Sequence, residues 1–246
     1  MEQLPQRDAA SDIDIDEVKA FYDGVYHAGA DADSADTMAA HHRGLFQRLG
    51  IASGSSVLDV ACGTGGWLQV CADADCTVAG VDLSERAIEV CRTRMPKGRF
   101  HAQAAETLPF DDNEFDVVTC LGSLEHFVDP RGSLQEMVRV ARPGATFVLL
   151  VPNSDFLTRR IGLFAGTYQV DAREVVRSLD EWDDLFTSAG LDTQERWKDL
   201  HVLNRHWVTL GPAYLWPLRL LQALMLAAWP LRWQYQVYHR CVAGTQ

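Results

Sequence analysis

Short apolar runs alternate with amphipathic stretches along most of the chain. Nearly continuous apolar runs bounded by turn residues predict buried strands, and spacing of 3.6 residues predicts helices. The predicted strands cover residues 56–61, 76–81, 100–103, 115–120, 145–151, 191–198 and 233–242. The predicted helices cover residues 16–26, 38–49, 66–74, 84–96, 133–141 and 179–189. The alternation predicts an α/β fold, a doubly wound, seven-stranded and mostly parallel sheet with helical cap insertions.

The pattern divides the chain into four segments. Residues 1–50 form a helical lead-in or cap, 51–200 the core, 201–232 a hydrophobic insertion, and 233–246 the last strand and tail. Within the insertion, the stretch 203–231 carries two charges and three prolines. A membrane-spanning helix needs about 20 uninterrupted apolar residues, so this stretch is predicted to be a lid over the site, a homodimer or core face, or a membrane-surface contact.

Composition narrows the class of protein. The formal net charge of −12 and the pI near 5.0 disfavour a nucleic-acid partner, because binding phosphates needs clustered Lys and Arg. The six cysteines form no CxxC pair, no basic and apolar leader opens the sequence, and no metal-ligand spacing is visible. These features predict a cytoplasmic protein with buried free thiols and no metal.

The first predicted strand ends in a turn rich in small residues, Cys62-Gly63-Thr64-Gly65-Gly66. Glycines at a strand end let the backbone approach a ligand closely. Asp82 lies at the end of the next strand, where a carboxylate can accept hydrogen bonds from the two hydroxyls of a ribose diol. Leu68 stands where the dinucleotide fingerprint requires a small residue. A nucleoside cofactor is therefore predicted, with NAD the weaker candidate.

These residues, with four further motifs in order, resemble the class I S-adenosylmethionine-dependent methyltransferases, particularly the ubiquinone- and menaquinone-biosynthesis branch. The resemblance covers roughly residues 51–153. Its motifs are Val57–Trp67, Val81–Ser84, Ala105–Phe110, Phe115–Val118 with Leu124–Phe127, and Arg139–Gly144. It implies S-adenosylmethionine as cofactor and a small or lipid-like methyl acceptor.

The resemblance also implies roles for individual residues in cofactor binding. Asp82 would hold the ribose, Leu83 would flank the adenine, and Leu121 would line the sulfonium end. Two tyrosines of the lead-in, Tyr22 and Tyr26, would close over the cofactor. The residues that would shape the methionine side of the pocket are Asp59, Ala61, Gly63 and Gly65.

The third motif departs from the family pattern in one place. Family members usually carry an acidic residue for the adenine amino group where this chain has Ala104. Gln103 or the backbone alone would have to replace it. Ala105 and Glu106, which follow in the same motif, are also assigned to cofactor binding. The departure leaves open a module that binds the cofactor without catalysis.

Methyl transfer needs alignment and exclusion of water more than it needs reactive side chains. A hydroxyl acceptor requires a general base, and His126 is the candidate. The alternative is that His126 only packs against the turn after the fourth strand. The expected activity is O-methylation under a cap built from residues 22–42, 153–168 and 203–231. N- or C-methylation and a nicotinamide-dependent oxidoreductase stay open.

Overall fold

The computed structural model describes residues 32–160, 175–201, 209 and 212–244. The tyrosines Tyr22 and Tyr26, the predicted helix 16–26 and parts of the predicted cap lie outside these ranges. Seven strands form one sheet in the order β3-β2-β1-β4-β5-β7-β6. They are β1 Ser56–Val60, β2 Thr77–Asp82, β3 Arg99–Ala102, β4 Phe115–Leu121, β5 Ala141–Pro152, β6 Leu191–Lys198 and β7 Gln236–Ala243.

The pairing confirms the doubly wound, mostly parallel sheet. Strands β1 to β5 pair in parallel, whereas β7 lies antiparallel to both β5 and β6. The strand order reverses beside β1, since β2 lies on one side of it and β4 on the other. The carboxyl ends of such strands open a crevice at this switch point, where open α/β sheets bind ligands.

Seven helices lie within the described residues. They are α1 Ala32–Leu49, α2 Gly66–Asp73, α3 Glu85–Arg94, α4 Pro130–Val140, α5 Leu157–Arg160, α6 Leu179–Ser188 and α7 Trp216–Ala228. Side-chain caps fix three of their starts: the Ser84 hydroxyl accepts from the Ala87 N–H, Asp129 accepts from Gly132, and Ser178 forms a capping box with Glu181. Such caps satisfy N–H groups that have no partner inside the helix.

The apolar core lies on both faces of the sheet. One cluster places Trp182 and Phe186 of α6 and Met137 of α4 against β4 and β5. The other packs Leu68 of α2 and Ile88 of α3 against β1 and β2. All six cysteines are free and buried, as the sequence predicted for small apolar side chains.

The predicted turn at Pro143-Gly144 before the fifth strand was wrong. The strand already begins at Ala141, which pairs with Phe115, while Thr146 pairs with Val117. The four residues 142–145 therefore lie opposite the single residue Asp116, as an irregular bulge in which Gly144 has a φ of +82°. The Pro-Gly pair bends the strand without ending it.

Candidate active site

The loop after β1 takes a backbone conformation that side chains resist. Ala61, Gly63 and Gly65 have φ values of 61°, 51° and 76°. Ala61 lies in the left-handed region, which costs a non-glycine residue about 1–2 kcal/mol, and such strain is concentrated at functional sites. A Cβ added at Gly63 would meet no atom within 4 Å, so this part of the loop borders open space.

Gly65 has a packing role. A Cβ there would lie 2.7 Å from Met95 Cε and 2.9 Å from Cys91 Sγ, so a larger residue would push the loop away from α3. Gly65 is also the N-cap of α2. The structure therefore separates the two predicted glycines: Gly63 faces the crevice, and Gly65 lets the loop pack closely.

Asp82 connects the end of β2 to this loop. Its Oδ2 accepts a hydrogen bond from the Gly63 backbone N–H at 2.8 Å, and its Oδ1 accepts one from the Ser84 N–H at 2.9 Å. A carboxylate has about four acceptor positions. These two bonds therefore leave acceptor positions for the predicted hydrogen bonds from a ribose diol. Asp82 therefore holds the loop against the end of β2.

Asp59 is a buried carboxyl group within β1. It is 4% exposed, and the Thr119 hydroxyl of β4 donates a hydrogen bond to its Oδ1 at 2.5 Å. Burial raises the pKa of Asp59 to about 7, with the nearby Asp82 charge adding to the rise and the Thr119 hydrogen bond opposing it. Asp59 therefore titrates near neutral pH beneath the glycine loop.

The third motif lies along the β2 side of the crevice. The Gln103 N–H donates to the Asp82 carbonyl at 3.0 Å, while its side-chain amide donates to the Thr107 hydroxyl at 3.1 Å. Glu106 Oε1 accepts from the Asp129 N–H at 3.3 Å, at the start of α4, and Ala105 is buried in the core. Gln103 thus lies beside Asp82, whereas the Glu106 carboxylate is directed to α4.

Leu83, Leu121 and His126 also follow strand ends. Leu83 comes directly after β2 and Leu121 ends β4; both are half-buried. The half-buried His126 ends a 3-10 turn that starts at Leu124, and its N–H donates to the Ser123 carbonyl at 3.0 Å. The carboxyl ends of parallel strands share one sheet edge, so these predicted residues lie on the same edge as the glycine loop.

Helix α1 supplies a neighbour of the loop, His42, which from the sequence could reach the pocket but is predicted to be exposed or structural. The His42 ring lies beside Gly66, 3.6 Å from a Cβ built there, and meets Trp67 edge-on with 6.0 Å between ring centroids. Burial and the neighbouring His41 lower the pKa of His42 to about 4. His42 is therefore a neutral imidazole packed at the start of α2.

Cys91 is a second contact that the sequence did not reveal. Its thiol donates to the Gly63 carbonyl at 3.3 Å, although on α3 it occupies an ordinary apolar position. A buried cysteine behaves as a small apolar residue with a weak donor, so no pattern distinguishes it from the core. The hydrogen bond adds to the contacts that hold the loop.

A glycine loop and a facing carboxylate at the switch point define an α/β domain built for a nucleoside cofactor. Residues 58–149 match the family model described as "Methyltransferase domain". This match and the relatives described below support the class I S-adenosylmethionine-dependent methyltransferase assignment that the sequence motifs predicted, with S-adenosylmethionine as the cofactor.

Curated relatives agree with this assignment. The chain is 37% identical over 144 residues to a demethylmenaquinone methyltransferase of Renibacterium salmoninarum, covering 57% of this chain and 61% of that protein. It is 36% identical to the O-methyltransferase cnsE of Penicillium expansum, with 48% of each chain covered. A ubiquinone biosynthesis O-methyltransferase of Aromatoleum aromaticum is 33% identical, with 47% and 52% covered. The chain thus spans about half to three fifths of these relatives.

Solved structures share the fold at low sequence identity. An S-adenosylmethionine-dependent methyltransferase from Aquifex aeolicus superposes with a TM-score of 0.55 at 15% identity, covering 94% of this chain and 98% of that one. The [4+2]-cyclase SpnF superposes with a TM-score of 0.60 at 17% identity, covering 89% and 85%. Because one of these is a cyclase, the fold alone does not decide the reaction.

Proposed function

We propose that this protein is an S-adenosylmethionine-dependent methyltransferase that acts on a small or lipid-like acceptor by O-methylation. The observation that carries the proposal is the strained loop at Ala61 and Gly63, held by the Asp82 carboxylate at 2.8 Å. The loop offers backbone next to open space, and Asp82 offers acceptors for a ribose diol. The relatives named for menaquinone, ubiquinone and O-methylation favour an acceptor of that chemistry.

The work required of the protein in this reaction is mainly positional. When bound, S-adenosylmethionine supplies an electrophilic methyl group, and the acceptor must be aligned with it at about 3 Å in the absence of water. Asp82 and the loop would fix the cofactor, Leu121 would border its reactive end, and His126 would take the proton of a hydroxyl acceptor. An amine acceptor would need no such base, so N-methylation is the first alternative.

Helix α7 supports the lipid-like part of the proposal. Five of its aliphatic side chains are half or more exposed: Leu218, Leu220, Leu221, Leu224 and Met225. Contiguous exposed apolar patches mark contact surfaces, and Tyr214 and Trp216 before and at its start are aromatic residues typical of membrane interfaces. We infer that α7 contacts an apolar acceptor or the lipid surface that carries it. None of the described helices is both long and apolar enough to span a bilayer.

The first experiment measures cofactor binding by calorimetry with S-adenosylmethionine, and with NAD as the competing candidate. Asp82→Ala is expected to weaken S-adenosylmethionine binding by about 1–3 kcal/mol, because charged hydrogen bonds to the ribose are lost. Asp111→Ala, at an exposed loop position, is the matched control and should bind like the parent. Equal affinity of the Asp82 variant, or preferential binding of NAD, would refute the assignment of this crevice.

Binding alone would not establish catalysis, since a non-catalytic S-adenosylmethionine-binding module is the second candidate function. The departure at Ala104 motivates it. Incubation with cofactor labelled on the methyl group and candidate hydroxylated quinones or phenols, followed by mass spectrometry, separates the two. A labelled methyl ether supports the methyltransferase, whereas binding without transfer to any acceptor supports the module.

A further inference from the structure

Three residues with metal-binding side chains meet outside the glycine loop. His41 of α1, Asp199 just after β6 and His201 two residues further on bring one ligand atom each to within 4.8 Å of the others. His201 Nδ1 lies 2.6 Å from Asp199 Oδ2, and His41 Nε2 lies 3.8 Å from Asp199 Oδ1. The cluster joins residues 41 and 199, which explains why the spacing of residues along the chain gave no sign of it.

The cluster lies on the flank of the sheet formed by β5, β7 and β6. Asp199 is fixed by its N–H, which donates to the Gln236 carbonyl at the start of β7 at 3.1 Å. Tyr238 of β7 places its hydroxyl 2.8 Å from His41 Nε2, and its ring stacks on Trp197 of β6. Three separate elements therefore hold the donors in place.

The charge of Asp199 is the second observation. Its side chain is 1% exposed, and a buried carboxylate requires compensation by positive charge or strong hydrogen bonds. Among the described residues, the ion pairs of this carboxylate are with the His41 and His201 imidazoles. A carboxylate enclosed by two imidazoles is a donor set that suits a divalent transition metal.

We propose that His41, Asp199 and His201 form a binding site for a divalent metal ion of the zinc class, which would leave a fourth coordination position open to water or another oxygen ligand. Bonds of about 2.1 Å in tetrahedral geometry place ligand atoms about 3.4 Å apart. In the structure one ligand atom of each residue lies within 4.8 Å of the other two, and the shortest recorded separation, from His201 Nδ1 to Asp199 Oδ2, is 2.6 Å. Side-chain adjustments on the order of 1 Å would bring the donors around one ion.

The test uses the full chain without a polyhistidine tag, freed of metal by a chelator and titrated with Co²⁺ and then Zn²⁺. One Co²⁺ per chain is expected, with visible d–d absorption and no thiolate charge-transfer band, because the donors are nitrogen and oxygen. Zn²⁺ should displace it. Spectra dominated by thiolate ligation would overturn the proposal, since they would place the ion on cysteines.

Four variants test which residues bind the metal ion. Asp199→Asn preserves the shape of the buried side chain, and His201→Ala alters a ring that is partly exposed; each should weaken Zn²⁺ binding more than about 100-fold. Tyr238→Phe removes only a hydroxyl next to His41 and should retain the ion. His101→Ala, on β3 at the far edge of the sheet, is the matched control and should bind as the parent does.

Cofactor calorimetry on the same samples separates this proposal from the proposed function. S-adenosylmethionine should bind the Asp199 and His201 variants with parent affinity, so a failed metal site and a failed cofactor site give different results. Absence of a stoichiometric ion in the parent, or equal Zn²⁺ affinity in all variants, would make the cluster a hydrogen-bonded network without metal.

Discussion

The buried Asp59 predicts an unusual pH dependence of stability. Its pKa is about 7 in the folded protein and 3.8 in the unfolded chain, so the folded state binds its proton more tightly. The stabilisation is complete below pH 3.8 and is lost as the pH rises towards 7. At 1.36 kcal/mol per pKa unit, the loss is on the order of 4 kcal/mol, of which about 3 kcal/mol falls between pH 5 and pH 8.

Asp59→Asn removes the titrating group and keeps an oxygen that accepts from the Thr119 hydroxyl. We expect the free energy of unfolding of the variant, relative to the parent, to increase by about 3 kcal/mol between pH 5 and pH 8. Urea titrations at several pH values measure this difference directly. Burial lowers the pKa values of His42 and His239 to about 4, so the folded protein loses stability as the pH falls below 6.5. This loss occurs equally in the parent and in the variant. It therefore cancels when the free energies of unfolding of the two proteins are subtracted.

Asp116→Asn is the matched control on the neighbouring strand. Although burial opposes it, hydrogen bonds from Ser56 and Arg142 hold the pKa of Asp116 below its ordinary value. Asp116 is therefore ionised in both states above pH 5, and its variant should differ from the parent by a constant amount from pH 5 to pH 8. A constant difference for Asp59→Asn as well would refute the argument that burial keeps Asp59 protonated.

Two further variants address catalysis and the apolar surface. His126→Ala should lower turnover about 10²–10⁴-fold while S-adenosylmethionine affinity is preserved, if His126 is the general base; a variant as fast as the parent would make it structural. Replacing Leu221 and Leu224 together by Glu should abolish co-sedimentation with phosphatidylcholine vesicles, while Val128→Glu, at an exposed apolar position outside α7, should not. Loss of a dimer in light scattering, without any vesicle binding by the parent, would instead assign α7 to a homodimer interface.

The sheet, and the positions of the glycine loop and Asp82 at one of its edges, could be predicted because their signals are local. A buried run such as Ser56–Val60 followed by glycines is recognisable within about ten residues, and Asp82 is identified by ending the next strand. Both follow from the chain's own order, since parallel strands bring their carboxyl ends to one edge. The boundary error at Pro143-Gly144 arose where tertiary pairing continued a strand through residues that usually form turns.

What the sequence could not predict depends on contacts between distant residues. Thr119 lies 60 positions from Asp59, and Tyr238 lies 197 positions from His41. Each of these polar residues belongs to an apolar or amphipathic element, where its type and spacing carry no information about its partner. The raised pKa of Asp59 likewise depends on burial by several elements, so it becomes visible only in three dimensions.

The difference between local and distant signals also indicates which part of the chain determines substrate specificity. The glycine loop and Asp82, which are proposed to bind the cofactor, lie within residues 58–149 that the family model matches. Residues outside that match form the histidine cluster, which joins α1 to the segment after β6, and the exposed apolar helix α7. A cyclase shares the fold, so the fold is compatible with different reactions. We therefore expect these elements outside the match to select the acceptor, so that replacing single residues there should change which substrate is used while S-adenosylmethionine binding is retained.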